Sequence, residues 1–167
     1  ENGIVTANSN GDCIITVTTG NGKTARCKIK VETSPIGINL NRTEATIDLS
    51  ERETIELMAT ITPVTANVNT EIIWRSSDES IATVENGVVT GKTNGNCIIT
   101  ATIGNGKTAS CEVIVQTSPT GINLNKTEET IDLSETNTIE LMATITPVTA
   151  NVNNGIIWES NNTLVAT

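Results

Sequence analysis

Four cysteines, a surplus of carboxylates and a complete lack of histidine set the limits on what this chain can do chemically. Cys13 and Cys27 lie 14 positions apart, and Cys97 and Cys111 repeat that spacing. Two thiols so placed suit the two arms of one hairpin. They are either joined as a disulfide, in keeping with an exported protein, or packed as small apolar side chains. A tetrahedral zinc site is a poor fit, because each pair supplies only two thiolates and no imidazole completes the set. Ser-His-Asp and Cys-His catalysis fall for the same reason, and no other catalytic constellation stands out. The chain reads as a non-enzyme with no cofactor.

Asp and Glu number 19 against 10 Lys and Arg, giving a formal charge of −9. Glu44, Asp48, Glu51 and Glu53, with Asp78 and Glu79, raise the question of a calcium site between domains. Calcium takes about six to eight oxygens, and no EF-hand-like spacing occurs, so a solvated acidic face that aids solubility is the better reading. Acidity and the scarcity of aromatic rings, two Trp with no Phe or Tyr, argue against nucleic-acid partners. No stretch reaches the roughly 18 apolar residues of a membrane span. Asn41-Arg42-Thr43, Asn125-Lys126-Thr127 and Asn161-Asn162-Thr163 match the glycosylation acceptor pattern. Chance matches are expected in a chain where Thr and Asn together approach a third of the residues.

The elements that carry these residues recur. Ser34-Pro35-Ile36-Gly37-Ile38-Asn39-Leu40-Asn41 returns 84 positions later as Ser118-Pro119-Thr120-Gly121-Ile122-Asn123-Leu124-Asn125, and Trp74 returns as Trp158. An ungapped alignment of residues 1–83 with 85–167 is identical at 58 of 83 positions, as expected of a recent duplication within a longer array. Within one period, Thr54–Ile61 alternates, which predicts one strand with Ile55, Leu57, Ala59 and Ile61 on a single face. Gly95–Thr102 and Ala109–Val115 flank Gly104-Asn105-Gly106 and read as a hairpin. Asn86-Gly87 marks another turn, and Thr62-Pro63 ends a strand because Pro cannot donate to a ladder. About seven or eight short strands per 84 residues, with no helical periodicity, predict an all-β sandwich.

The ordered landmarks Gly-Ile-Asn-Leu, Ile-Glu-Leu-Met-Ala-Thr-Ile-Thr-Pro, Ile-Ile-Trp-Arg-Ser-Ser, Ile-Ala-Thr-Val, Gly-Val-Val-Thr-Gly, Cys-Ile-Ile-Thr-Ala-Thr and Thr-Ala-Ser-Cys-Glu-Val-Ile-Val resemble the bacterial immunoglobulin-like group 2 domain. The resemblance implies tandem immunoglobulin-like β-sandwiches of about 84 residues. Residues 1–33 would carry the C-terminal strands of a preceding repeat, 34–116 a complete repeat, and 117–167 the N-terminal strands of a following one. Neither partial set can bury two sheets alone. Either the segment belongs to a longer chain, or copies meet head to tail and complete each other's sandwiches, a heterologous contact that generates a fibre.

In the immunoglobulin-like arrangement Leu57, Trp74, Ile99, Val113 and Trp158 would be core. Their strand neighbours Ile73, Ile98 and Ile114, with Ile14 and Ile157 in the other copies, would form an outward row. Such a row is either scattered exposure or a face for lateral packing. Across Cys97 and Cys111 the turn places Ile99 opposite Cys111, which makes the thiols diagonal neighbours. A small register shift would bring them face to face, and a disulfide in each hairpin is the expectation. The junctions Val31–Pro35 and Val115–Pro119 lack any flexible Gly/Ser run and contain Pro, so successive domains should form a semi-rigid rod. The family usually supplies stalks, spacers or binding modules of surface and secreted proteins. The expected role is therefore a structural repeat of an extracellular bacterial filament or surface stalk, with neighbouring copies as partners. The alternative is an adhesin-type binding module.

Overall fold

The computed structural model describes residues 3–167, which contain strands and no helix. The first hairpin is β1 (Gly11–Thr18) with β2 (Thr24–Val31). The central unit runs from β3 (Gly37–Leu40) through β4 (Glu44–Asp48), β5 (Thr54–Glu56), β6 (Ala59–Thr62), β7 (Ile72–Ser76), β8 (Ala82–Glu85), β9 (Val88–Gly91) and β10 (Gly95–Ile103) to β11 (Thr108–Gln116). Beyond it lie β12 (Gly121–Leu124) and β13 (Ala143–Thr146).

Alternating side chains build the central unit as two layers. One is the sheet β4-β11-β10-β7, in which β4 runs parallel to β11 and the other pairs are antiparallel. The other layer consists of β3-β6 and β5-β9-β8. Along β10, Cys97, Ile99, Ala101 and Ile103 are buried while Ile98 is exposed, which is the period-two pattern of a half-buried strand. Ile47, Cys97, Ile99, Cys111, Val113 and Val115 from the first layer meet Ile55, Leu57, Ala82 and Val89 from the second. Ile38 closes over Ala101 and Ile103 at the other end. Trp74 is half-buried and touches both groups, which makes the core continuous. Each fully buried Ile or Val contributes about 1.5–3 kcal/mol.

The expected single strand over Thr54–Ile61 changes partners partway. β5 pairs with β9 and β6 with β3. Between them the Leu57 N–H donates to Gly87 O at 2.8 Å and the Met58 N–H to Asn41 Oδ1 at 3.0 Å, so the break leaves neither donor unpaired. Inward alternation survives it, with Ile55 and Leu57 both buried. Asn86 and Gly87, at φ of +50° and +86°, form the two-residue turn between β8 and β9. Two positive φ values are what a type I′ hairpin turn requires.

The flanking units show what the same residues do without their ladder partners. β1 and β2 occupy the positions of β10 and β11 shifted by 84 and keep the same register, Ile15 opposite Cys27 as Ile99 is opposite Cys111. β12 and β13 likewise repeat β3 and β6. Residues 128–132, 138–140 and 156–160, counterparts of β4, β5 and β7, are not strands, although Thr138-Ile139-Glu140 repeats Thr54-Ile55-Glu56. In the central unit those three strands pair with β11, β9 and β10, and the stretch 118–167 contains no counterpart of any of them. Local propensity alone does not hold a strand whose backbone groups lack a ladder. Side chains follow: Ile99 is 0% exposed and its counterpart Ile15 is 42%, while Leu57 is 2% exposed and Leu141 is 39%.

Candidate functional site

The cysteines correct the first expectation. All four thiols are free. The ladder places Cys97 opposite Val113 and Ile99 opposite Cys111, with no bulge to shift the register. Diagonal positions lie roughly 7–8 Å apart, with the Cβ atoms somewhat closer, still beyond the roughly 3.5–4.5 Å Cβ separation of a disulfide. Cys97 and Cys111 are buried, and burial pushes both thiols above their ordinary range, so they behave as small apolar side chains. Cys13 and Cys27 are diagonal in the same way but exposed.

The outward isoleucines point to solvent as expected, with Ile73 set apart from the other two. Ile73, Ile98 and Ile114 are exposed on one sheet face. Ile98 stands opposite Glu112, Ile114 opposite Asn96, and Ile73 opposite Thr102, four residues along β10 from Ile98. Ile98 and Ile114 are therefore diagonal neighbours across β10 and β11, whereas Ile73 lies beyond Thr100, farther along the same face. On the first hairpin Ile14 is exposed beside Lys28, which pairs with Asp12 at 3.4 Å, and Lys30 pairs with Glu32. Ile157 is exposed, and Trp158, expected in the core, is 54% exposed because residues 156–160 lack the opposing β10 counterpart. Leu57, Ile99 and Val113 lie in the central core.

Three aspartates, Asp48, Asp78 and Asp132, are occupied by nearby serines. Asp78 takes the N–H and hydroxyl of Ser80, and Asp132 those of Ser134, and these bonds hold both carboxyls below their usual range. Among the described residues no three His, Cys, Asp or Glu side chains are grouped so as to hold a metal ion.

What the structure does assemble is the connection between units. Thr117, following β11, is 5% exposed. Its N–H donates to Asn151 Oδ1 at 2.8 Å, and the Asn151 N–H returns to Thr117 O at 3.0 Å. The Thr117 hydroxyl donates to Asn94 Oδ1 at 2.7 Å, and Asn94 Nδ2 donates to Thr149 O at 2.7 Å. Asn94 sits between β9 and β10 of the central unit, whereas Thr149 and Asn151 follow β13 of the next. A carbonyl only accepts, so Thr149 O fixes which end of the Asn94 amide faces it.

The same arrangement stands 84 residues earlier. Thr33 N–H donates to Asn67 Oδ1 at 2.8 Å, Asn67 N–H to Thr33 O at 3.0 Å, the Thr33 hydroxyl to Asn10 Oδ1 at 2.7 Å, and Asn10 Nδ2 to Thr65 O at 2.7 Å. Other contacts hold the linkers from either side. Asp48, at the end of β4, accepts the Ser118 N–H at 3.1 Å and the Ser118 hydroxyl, together with both donors of Ser50. These bonds, the Ser118 hydroxyl foremost, hold the Asp48 carboxyl far below the usual carboxylate range. Asn105, in the turn after β10, donates to the carbonyl of buried Pro35 at 2.7 Å. Sequence reasoning found the stiff Pro but missed Asn94, Thr117, Thr149 and Asn151. Their recurrence at the 84-residue offset was the available signal, hidden among many other recurring Asn and Thr.

Two facing layers, with the parallel β4–β11 edge and the antiparallel centre, define an immunoglobulin-like β-sandwich. Residues 38–113 match the family model of the bacterial Ig-like domain (group 2), the family the sequence landmarks resemble. A minor capsid protein of Enterobacteria phage T3 is 40% identical over 81 residues; the match spans 48% of this chain and 18% of that protein. Among solved structures, PcdhgB3 EC1-4 aligns with a TM-score of 0.40 and 11% identity, covering 71% of this chain and 42% of its own.

Proposed function

We propose that this chain is a stretch of the shaft of an extracellular bacterial filament or cell-surface stalk, made of repeats joined head to tail. The observation that carries the reading is the junction: the same four hydrogen bonds, between residues at the same offset, occur at both boundaries. A connection that repeats with each period propagates into a linear array. The apolar faces left open on the flanking units, around Ile15 and Val17 and around Leu141 and Trp158, are covered by the remaining strands of the same repeats. Those strands come from the continuing chain or from a second copy. The relative in phage T3 is by name a capsid constituent, which supports a structural role. The role is mechanical, with no reaction and no cofactor, and its partners are neighbouring repeats.

Electron microscopy of native material tests this. The longest strands have nine residues, or about 30 Å at roughly 3.3 Å per residue. With its loops, each repeat should then add roughly 35–45 Å to a rod. Thin fibres or stalks with that axial period are expected; isolated globular particles would overturn the proposal.

A further inference from the structure

The linker is held from both sides over three consecutive residues. Gln116 continues β11, Thr117 is bonded to Asn94 behind it and Asn151 ahead of it, and Ser118 is tied to Asp48. We propose that Asn94, Thr117 and Asn151 form a latch that locks the orientation of one repeat against the next. The array is then a rod of fixed twist and not a string of independently swinging domains.

The chemistry of each position is specific. The side chain at 94 must accept from the Thr117 hydroxyl and donate to the Thr149 carbonyl at once, and an amide does both. A carboxylate there would present oxygen to oxygen at Thr149. Position 151 is different, because its side chain supplies only the acceptor Oδ1 while the returning donor is its backbone N–H. Aspartate at 151 keeps both bonds. Position 117 needs a hydroxyl donor in a nearly buried setting, where an unmade bond is poorly replaced by water. Pro119, two residues on, narrows the backbone choices of Ser118 and so adds to the restraint. This latch deepens the filament reading but rests on the repeat geometry, and it applies to any tandem array of these domains.

Amide hydrogen exchange by NMR on the 167-residue chain, with small-angle X-ray scattering of the same samples, tests the latch. In the wild type the N–H groups of Thr117, Asn151, Thr33 and Asn67 exchange slowly. Asn94→Asp is expected to speed exchange at Thr117 and Asn151 about tenfold or more. Thr33 and Asn67 at the other junction should not change, and neither should Ile99 and Val113 in the core. Thr117→Val, which keeps the side-chain shape, should give the same loosening at Asn151. Asn151→Asp should stay within about twofold of wild type. The two loosened variants should also broaden the scattering-derived distance distribution. The latch is overturned if Asn94→Asp and Thr117→Val both leave these rates and the scattering unchanged, or if the wild-type amides exchange like an unstructured peptide. Globular particles in the micrographs would defeat the filament and leave these rates untouched.

Discussion

Two glycines with nearly the same positive φ allow strain to be separated from crowding. Gly87, between β8 and β9, has a φ of +86°, and a Cβ there would lie 2.4 Å from the Leu57 carbonyl oxygen and 3.3 Å from the Trp74 ring. Gly106, between β10 and β11, has a φ of +83° and nothing within 4 Å of that position. Alanine in the left-handed region costs about 1–2 kcal/mol at either site. At Gly87 the obstruction is backbone, so the Leu57 segment must move. That movement strains the Leu57 N–H to Gly87 O bond, worth about 1 kcal/mol. It also disturbs packing around Leu57 and Trp74, for about another 1 kcal/mol or more. Gly87→Ala should therefore destabilise the central sandwich by about 3–4 kcal/mol and Gly106→Ala by about 1–2 kcal/mol. For a domain of this size that is a fall in Tm of roughly 12–30 °C against roughly 4–15 °C. Urea unfolding followed by far-ultraviolet circular dichroism, with thermal melts, would measure both. Equal losses, or a Gly87→Ala cost no greater than that of Gly106→Ala, would refute the reasoning.

Adjacent residues of β10 should respond oppositely. Ile99→Ala should cost about 2–5 kcal/mol, because Ile99 is fully buried between the layers. Ile98→Ala, on the exposed face, should stay within about 0.5 kcal/mol; similar losses in urea titrations would reverse the inside and outside of the strand. Asp48 should make the central unit and its linker acid-sensitive. Its carboxyl is held low in the folded state, so its stabilising contribution is complete above the ordinary carboxylate value of about pH 4 and fades as pH falls below it. The stability difference between wild type and Asp48→Ala should accordingly shrink between about pH 4 and pH 2, and a constant difference across that range would contradict the assignment.

Much of the architecture was legible because the chain states its period twice. Alternation around Ile99 and Ile55 identified inward faces, and Asn86-Gly87 announced its turn. Partner exchange at Leu57 and Met58 was not legible, since alternation continues across it and only pairing reveals the change. The isoleucines show the same limit: periodicity says which face Ile73 and Ile98 share, whereas strand register sets their distance apart. For the cysteines the turn gave the right register, Ile99 opposite Cys111, and what did not occur was the shift that would have brought the thiols face to face. The junction was hardest to see. Asn94 and Thr117 act through single hydrogen bonds across chain segments distant in sequence, and in a chain rich in Asn and Thr no local pattern marks those that matter.

Thiol accessibility measures directly whether the flanking strands complete sandwiches like the central one. Cys13 and Cys27 occupy the positions of Cys97 and Cys111 in the preceding repeat but are exposed in this chain. Under native conditions iodoacetamide, read out by peptide mass spectrometry, should label Cys13 and Cys27 of the 167-residue chain while Cys97 and Cys111 resist. In the native array all four should resist alike. Labelling of Cys13 and Cys27 in the array as fast as in the isolated chain would contradict the account.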